Sequence, residues 1–131
     1  MEQSFYRLSC KALIYDDTMS KILLFKESNG RYDFPGWGLD FGEKPQDNIR
    51  RELAEEAGLH VDRVADNPSY LVTSLKDNNA CRVAYIFFET MIQDTNFTPS
   101  DECQALEFFT KEEALKLDLY STVRMFFEQL P

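Results

Sequence analysis

One segment constrains the fold of this chain more than any other. It is a predicted helix over Pro45–Ala57, and the sequence marks both of its ends. Proline suits the first helical turn, where its missing N–H costs little, and Gly58 fits the left-handed position that ends many helices. Ile49, Leu53 and Ala57 recur every four residues. The segment therefore predicts an amphipathic helix with one face packed on a core.

Strand-like runs surround this helix on both sides. The order of predicted elements is strands, helix, strands, helices, which favours a mixed sheet covered by helices over a regular βαβ repeat. The residues 77–79, Asp-Asn-Asn, predict the tip of a hairpin between two of the strands. The predicted strands are 5–15, 21–26, 32–34, 69–75, 82–91 and 104–109, and the further predicted helices are 111–117 and Ser121–Gln129.

Composition bounds the class of protein. The chain has 131 residues with 44% hydrophobic side chains, which fits a single domain over residues 1–131 with a real core. The net charge of −9 argues against a protein that binds nucleic-acid backbones, although a metal cation can still bridge an acidic protein to phosphates. His60 is the single histidine, so a general base is expected to be a carboxylate.

Cysteine usage and hydropathy bear on the compartment. Cys10, Cys81 and Cys103 are scattered and odd in number, so neither a zinc site nor a disulfide framework is expected. The N-terminus lacks the pattern of a signal peptide, and no apolar run approaches the length that spans a membrane. These features predict reduced, partly buried thiols in a cytoplasmic protein without a membrane partner.

The predicted helix carries a concentration of acidic side chains. Glu52, Glu55 and Glu56 share one face beside the apolar stripe, and Glu43 precedes the helix and can fold back toward them. A solvated acidic face is one interpretation. The other is a site for a hard divalent cation, because the cluster lies at the edge of the core next to a Gly/Pro loop. Oxygen ligands of this kind favour Mg²⁺ or Mn²⁺ over zinc.

The residues 42–59 resemble the Nudix box of the Nudix hydrolase family. That box consists of glycine, five residues, Glu, seven residues, Arg-Glu, an aliphatic residue, any residue, Glu-Glu, any residue, glycine and an aliphatic residue. Here Gly42-Glu43 and seven further residues precede RELAEEAGL at 51–59, so every charged position and the final Gly58 are filled. The residues 32–36 (YDFPG) look like the family's lead-in, and 101–109 resemble its late acidic-then-aromatic segment.

The resemblance implies an α+β Nudix fold, in which a mixed β-sheet is sandwiched between α-helices (α/β/α). It also implies hydrolysis of a nucleoside diphosphate linked to another group. Divalent ions would neutralise the pyrophosphate oxygens and lower the pKa of a bound water. Metal ligands implied by the resemblance are Glu52, Glu55 and Glu56, with Glu43 in support. The structural positions that it implies are Arg51, Gly42 and Gly58, and Arg51 is expected to pair with box carboxylates.

The catalytic roles are less determined. By the family pattern, Glu56 and Glu52 are expected to be the central ligands, while both Glu55 and Glu102 stay open as the general base. Flat aromatic side chains would hold a nucleobase, and the candidates for substrate binding are Tyr32, Trp37 and Tyr85, with packing as the alternative for each.

Two positions depart from the family pattern. Trp37 stands where the box begins with glycine, and Asn48 stands where an alanine is usual. Neither supplies a metal ligand, so both bear on loop geometry and substrate choice.

Substrate and assembly stay open at this stage. Nucleoside triphosphates, nucleotide sugars and dinucleotides are the substrate alternatives, and a small domain without extensions leans toward the first by analogy. A non-catalytic Nudix-fold module that senses a nucleotide or a protein is the alternative function. Loss of box carboxylates would be expected of such a module, whereas all are present here. The sequence leaves the oligomeric state open, with a homodimer among the alternatives.

Overall fold

A computed structural model describes residues 5–75 and 82–131, apart from the Leu75 side chain. These residues form seven strands and three helices. Their bounds are β1 Arg7–Leu13, β2 Ile22–Lys26, β3 Tyr32–Asp33, α1 Pro45–Ala57, β4 Val61–Val64, β5 Tyr70–Leu75, β6 Arg82–Ile92, β7 Ala105–Phe109, α2 Lys111–Ala114 and α3 Ser121–Gln129.

The strands form two small sheets. In the first sheet β6 is central: β1 runs parallel to it on one side, while β5 and β4 run antiparallel to it on the other. The second sheet is antiparallel, in the order β3-β2-β7. An antiparallel bridge between Tyr15 and Ile22 connects the end of β1 to the start of β2. The two sheets therefore meet at a tight β1–β2 connection.

Both faces of the central strands are buried. In β2, Leu23 and Phe25 point to a core that includes α1, whereas Ile22 and Leu24 point to a second core that includes α2 and α3. This alternation follows from the two-residue period of a strand. Because successive side chains enter different cores, the sheets lie between α1 on one face and α2 with α3 on the other. The predicted α+β architecture is confirmed.

Helix α1 begins and ends where the sequence predicts. Gly58 has φ = +64°, and its N–H donates to the Ala54 carbonyl oxygen at 2.9 Å. The N–H of Leu59 returns to the Leu53 carbonyl oxygen at 3.2 Å, which completes a Schellman-type end. The apolar face of α1 packs on β1 and β4. This packing fixes the acidic face of α1 at the rim of the core.

Several element predictions need correction. The predicted strand 5–15 is shorter in the structure, as β1, and the predicted helix 111–117 ends at Ala114. Strand β4 was not predicted because it has only four residues, and the two central ones are exposed. Only Val61 and Val64 face the core. The predicted hairpin pairing of β5 with β6 is present, while its tip at 77–79 lies outside the described residues. Within 5–75 and 82–131, no helix has the length and hydropathy needed to cross a membrane.

Candidate active site

The loop before α1 is held along the outer edge of β1. Residues 35–39 follow this edge: the Ala12 N–H donates to the Pro35 carbonyl oxygen at 2.8 Å, and the Leu39 N–H donates to the Leu8 carbonyl oxygen at 3.0 Å. These bonds replace a neighbouring strand on this side of β1. The loop is thereby fixed relative to the sheet, next to the N-terminal half of α1.

Gly36 brings this loop into contact with the acidic helix. Its φ of +115° is a conformation that side chains disfavour, and a Cβ atom here would overlap the Cys10 carbonyl oxygen. The Gly36 N–H donates to Oε1 of Glu56 at 3.2 Å. Only glycine fits between β1 and the carboxylate, so this position links the sheet to the helix.

Glu56 is a buried carboxylate at the centre of the site. Its side chain lies on α1 with 7% of its surface exposed. Burial raises its pKa to about 8; the negative charge of Glu52 adds to this rise, and the Lys11 ammonium opposes it. Glu52 lies at the same rim, and its pKa is also raised, mainly by burial. Two neighbouring carboxylates therefore favour a proton or a cation.

The raised pKa of Glu56 predicts how stability depends on pH in the absence of metal. The folded-state pKa of Glu56, about 8, exceeds the ordinary value of 4.5. The contribution of protonated Glu56 to the free energy of unfolding is therefore complete below about pH 4.5 and is lost as pH rises through about 8. Glu56→Gln stays neutral. At pH 9 the free energy of unfolding of Glu56→Gln should therefore be roughly 2 to 5 kcal/mol higher than that of wild type.

Urea denaturation in the presence of a chelator, at pH 5 and pH 9, measures this difference. A gain that appears at pH 9 and shrinks at pH 5 agrees with the expectation. An equal effect of the substitution at both pH values would show that Glu56 does not titrate in this range.

Arg51 binds most of the other acidic groups of the site. Its guanidinium contacts Glu43 at 2.8 and 3.0 Å, Glu52 at 3.0 Å, Glu55 at 3.2 Å and Asp40 at 3.5 Å. Its hydrogen bonds, with one from Asn48, lower the pKa of Glu43 to about 2. Arg51 thus offsets the repulsion among the box carboxylates and joins the loop before α1 to the helix.

Asn48 ties the same loop to the helix from the buried side. Its amide nitrogen donates to the Gly38 carbonyl oxygen at 3.1 Å and to Oε1 of Glu43 at 2.9 Å. Its Oδ1 is buried and accepts no hydrogen bond from the residues that the structure describes. A shorter alanine at this position could make neither bond, so the departure from the family pattern adds a contact between loop and helix.

The donor chemistry of the site fits a hard divalent cation. Glu52 and Glu56 supply desolvated carboxylate oxygens, and such groups gain most from a nearby cation. In the arrangement seen across residues 5–75 and 82–131, no three acidic, histidine or cysteine side chains are already grouped closely enough to hold an ion. Three of the acidic side chains, Glu43, Glu52 and Glu55, are instead held by Arg51.

Glu102 lies on a loop that hydrogen bonds to the last turn of α1. The Thr98 N–H donates to the Ala57 carbonyl oxygen at 2.8 Å, and the Ser100 hydroxyl donates to the Glu56 carbonyl oxygen. The same hydroxyl lies 3.4 Å from Oε2 of Glu102, whose side chain is exposed. The loop therefore places a solvent-accessible carboxylate at the end of α1 that carries Glu56.

Comparison with known proteins decides the family. The family model described as "NUDIX domain" matches residues 5–130. The chain belongs to the Nudix hydrolase family. Enzymes of this family hydrolyse pyrophosphate bonds of nucleotide substrates and generally use divalent metals.

Relatives and solved structures agree with this assignment. Nucleoside triphosphatase NudI of Enterobacter sp. (strain 638) is 28% identical over 120 residues, which cover 82% of this chain and 85% of that protein. RNA pyrophosphohydrolase of Ruthia magnifica subsp. Calyptogena magnifica is 33% identical over 69 residues, 50% of this chain but only 38% of that protein. The crystal structure of a MutT protein from Methanosarcina mazei Go1 has a TM-score of 0.74 at 23% identity, with 98% of this chain and 95% of that chain covered. It supports the fold.

The three aromatic candidates of this Nudix hydrolase differ in exposure. Tyr85 is only 8% exposed, and its hydroxyl donates to Oδ2 of Asp33 at 3.0 Å. It has no open ring face, so the interpretation of Tyr85 as a base-stacking residue needs correction. Tyr32 is half-buried, and its ring stands nearly perpendicular to the ring of Phe109, with 5.5 Å between the ring centroids. Trp37 is 49% exposed, and it alone among the three candidates offers a substantially open ring.

Sequence reasoning missed a buried ion pair of the Nudix hydrolase. Lys11 Nζ lies 3.2 Å from Oδ2 of Asp33, and both side chains are almost fully buried. A signal was present, because Lys11 interrupts the apolar run of a strand with two buried faces. Its partner lies 22 residues away in the chain, so the pairing itself could not be predicted from local pattern.

The described cysteines are reduced. Cys10 and Cys103 are free and buried, and burial raises the pKa of their thiols to about 11 and about 12. Cys81 lies outside the described residues. Both thiols are therefore protonated at neutral pH and act as small apolar side chains.

Proposed function

We propose that this Nudix hydrolase cleaves a pyrophosphate bond of a nucleoside diphosphate linked to another group, with Mg²⁺ or Mn²⁺ as cofactor. Nucleoside triphosphates are the first substrate class to test. The observation that carries the proposal is the pair of buried, desolvated carboxylates Glu52 and Glu56 on α1, of which Glu56 accepts a hydrogen bond from the Gly36 N–H of the loop before α1. The relative NudI, a nucleoside triphosphatase that matches over most of both chains, supports the choice of substrate class.

The proposed ligands of the cation are Glu52, Glu55 and Glu56, with Glu43 in support. When bound, a divalent cation would neutralise phosphate oxygens and activate a water molecule. Glu43 is ionised at all relevant pH values because its pKa is lowered to about 2. Arg51 supplies a positive charge beside three of these carboxylates. A bound cation is expected to change which carboxylates Arg51 contacts. Arg51 itself would still keep Gly42 and the loop before α1 in place.

We propose Glu102 as the general base. The Glu55 carboxylate already accepts a hydrogen bond from Arg51 Nη1 at 3.2 Å, so it is engaged in an ion pair. Glu102 receives no ion pair from the described part of the chain and lies at the solvent edge of the site. A carboxylate in that position can accept a proton from water that enters the site.

Glu102→Gln and Glu55→Gln separate the two bases. We expect Glu102→Gln to lower kcat by about 100- to 10,000-fold, the usual range for loss of a general base, and to remove the acidic limb of the pH–rate profile. Glu55→Gln should instead weaken metal binding and keep that limb. Steady-state rates from pH 5 to pH 9 at saturating Mg²⁺ measure both. If Glu55→Gln removes the limb and Glu102→Gln keeps it, the assignment is reversed.

Trp37 is proposed to stack on the nucleobase of the substrate. Its indole is half exposed beside the loop that reaches Glu56. Base–aromatic stacking is worth about 1 to 3 kcal/mol, so Trp37→Ala should raise KM roughly 5- to 150-fold with kcat little changed. Trp37→Phe should keep most of the affinity, and Phe41→Ala, at a fully exposed ring of the same loop, is the matched control. A fall in kcat at constant KM would assign Trp37 to loop packing instead.

A release assay tests the proposed activity. Phosphate and pyrophosphate release would be followed over nucleoside triphosphates, nucleotide sugars and dinucleoside polyphosphates, each with Mg²⁺ and with Mn²⁺. Turnover of at least one nucleoside triphosphate is expected. Tight binding of a nucleotide without turnover of any would favour the alternative, a non-catalytic sensing module.

We also propose that a single domain carries the activity. The family match over residues 5–130 supports a single functional unit across residues 1–131. The unpaired, buried thiols of Cys10 and Cys103 support a reducing, cytoplasmic location. The net charge of −9 supports a small nucleotide over a nucleic acid as substrate.

A further inference from the structure

We propose that Lys11 is a positioning residue, which holds the Gly36 loop so that the Gly36 N–H stays on the metal ligand Glu56. The proposal rests on the proposed function for the role of Glu56 as a ligand. It assigns a function to a buried ammonium group that the reaction itself does not use.

Lys11 directs all three of its N–H donors to one segment of the chain. Its Nζ lies 2.7 Å from the Gly36 carbonyl oxygen, 3.3 Å from the Phe34 carbonyl oxygen and 3.2 Å from Oδ2 of Asp33. An ammonium group has three donors, so these contacts use its full capacity. The side chain is 1% exposed, which leaves no room for water to substitute for any of them.

The shortest of these contacts is not with the carboxylate. The bond to the Gly36 carbonyl oxygen is the shortest, by half an ångström relative to the contact with Asp33. Asp33 has other donors as well: the Tyr85 hydroxyl at 3.0 Å and the Phe34 N–H at 2.7 Å. A simple counter-ion for Asp33 would not need the two carbonyl oxygens. The geometry therefore indicates that Lys11 holds the Gly36 loop and is more than a counter-ion for Asp33.

The same peptide segment continues to the metal ligand. Gly36 accepts from Lys11 through its carbonyl oxygen and donates through its N–H to Oε1 of Glu56 at 3.2 Å. Two rings enclose the ammonium: its Nζ lies 4.6 Å from the centroid of Tyr85 and 5.4 Å from that of Trp37. A continuous path of contacts therefore runs from β1 through Lys11 and Gly36 to the carboxylate on α1.

Charge and positioning predict opposite effects when the ammonium is removed. A positive charge near Glu56 disfavours a bound divalent cation, so by charge alone Lys11→Met should strengthen metal binding. If Lys11 positions the loop, Lys11→Met should weaken metal binding, because Glu56 loses a fixed donor and its orientation. Removal of groups that orient metal ligands typically costs about 10- to 100-fold in metal affinity.

The experiment compares wild type with Lys11→Met, Lys11→Met/Asp33→Asn and the surface control Lys116→Met. The double variant removes the buried carboxylate charge together with the ammonium, and so keeps the site neutral if Lys11→Met alone fails to fold. The probe is Mn²⁺ alone, whose dissociation constant is measured by electron paramagnetic resonance. The ¹⁵N–¹H resonance of the Gly36 amide in metal-free protein reports the loop independently of metal and activity.

The positioning role predicts that both Lys11 variants bind Mn²⁺ about 10- to 100-fold more weakly than wild type and shift the Gly36 amide resonance. Lys116→Met should change neither. If the double variant recovers wild-type Mn²⁺ affinity and the wild-type Gly36 resonance, Lys11 only balances the charge of Asp33 and the proposal is overturned. Unchanged or tighter binding by Lys11→Met overturns it too.

Failure of the proposed function would look different. In that case wild type itself would bind no Mn²⁺ and hydrolyse no nucleotide. The Gly36 resonance would then decide on Lys11 alone: an unshifted resonance in both Lys11 variants overturns the positioning role, and a shifted one supports it.

Discussion

Glu56→Gln is expected to lower kcat for nucleotide hydrolysis by about 1,000-fold or more. A metal ion contributes several kcal/mol of transition-state stabilisation, and each 1.4 kcal/mol corresponds to about a tenfold change in rate. Gln keeps the shape of the side chain and can still accept from the Gly36 N–H through its carbonyl oxygen. It loses the charge that a cation requires. The loss should therefore arise from metal binding and not from a collapsed loop.

The matched control for this variant is Glu128→Gln, at an exposed carboxylate of α3 far along the chain from the box. Both variants should be assayed over a Mg²⁺ titration, with pyrophosphate release as the signal. The control should follow wild type, whereas Glu56→Gln should stay inactive at every concentration. Activity within tenfold of wild type in Glu56→Gln would remove this residue from the set of essential ligands.

Gly36→Ala is expected to destabilise the protein by about 3 kcal/mol or more. Two costs combine here. The φ of +115° is strained for any residue with a side chain, at about 1 to 3 kcal/mol. The added Cβ also overlaps the backbone carbonyl oxygen of Cys10, and forced overpacking typically costs about 1 to 3 kcal/mol. Because the overlap is with backbone, no rotamer change can relieve it, and the loop must move off β1.

Gly30→Ala provides the control that separates these costs. Gly30 has φ = +84°, but a Cβ there meets no atom within 4 Å, so only the backbone strain applies. Urea denaturation should show a loss for Gly36→Ala that exceeds the loss for Gly30→Ala by about 1 to 3 kcal/mol. Activity should fall with Gly36→Ala, since the Gly36 N–H no longer meets Glu56. Equal losses for the two variants would contradict the tight contact with β1.

Local signals explain which elements were predictable. Helix α1 was predicted to the residue because Pro45 and Gly58 mark its ends and its apolar residues recur at helical spacing. Strand β4 was missed because it is short and half exposed, and only its pairing with β6 makes it a strand. The parallel pairing of β1 with β6 joins residues more than 70 positions apart, which no local pattern encodes.

The candidate site shows the same division between local and distant information. Helical spacing brings Glu52, Glu55 and Glu56 to one face, so this cluster could be predicted from the sequence. The contacts of Lys11 could not, because they depend on a loop that returns to β1 only in the folded chain. Trp37 departs from the family pattern, yet its carbonyl oxygen still accepts from the Cys10 N–H at 3.3 Å. A side chain at that position is therefore compatible with the loop.

The dependence of hydrolysis on a divalent cation tests the proposed metal-assisted reaction. Wild-type protein treated with a chelator would be mixed with nucleoside triphosphates, and pyrophosphate release would be followed while Mg²⁺ is titrated. We expect no release before Mg²⁺ is added and a saturable rate afterwards, whereas Glu56→Gln should show no release at any Mg²⁺ concentration. Release that persists in excess chelator, or no release at any Mg²⁺ concentration with any nucleotide, would show that the protein is not a metal-dependent hydrolase of these substrates.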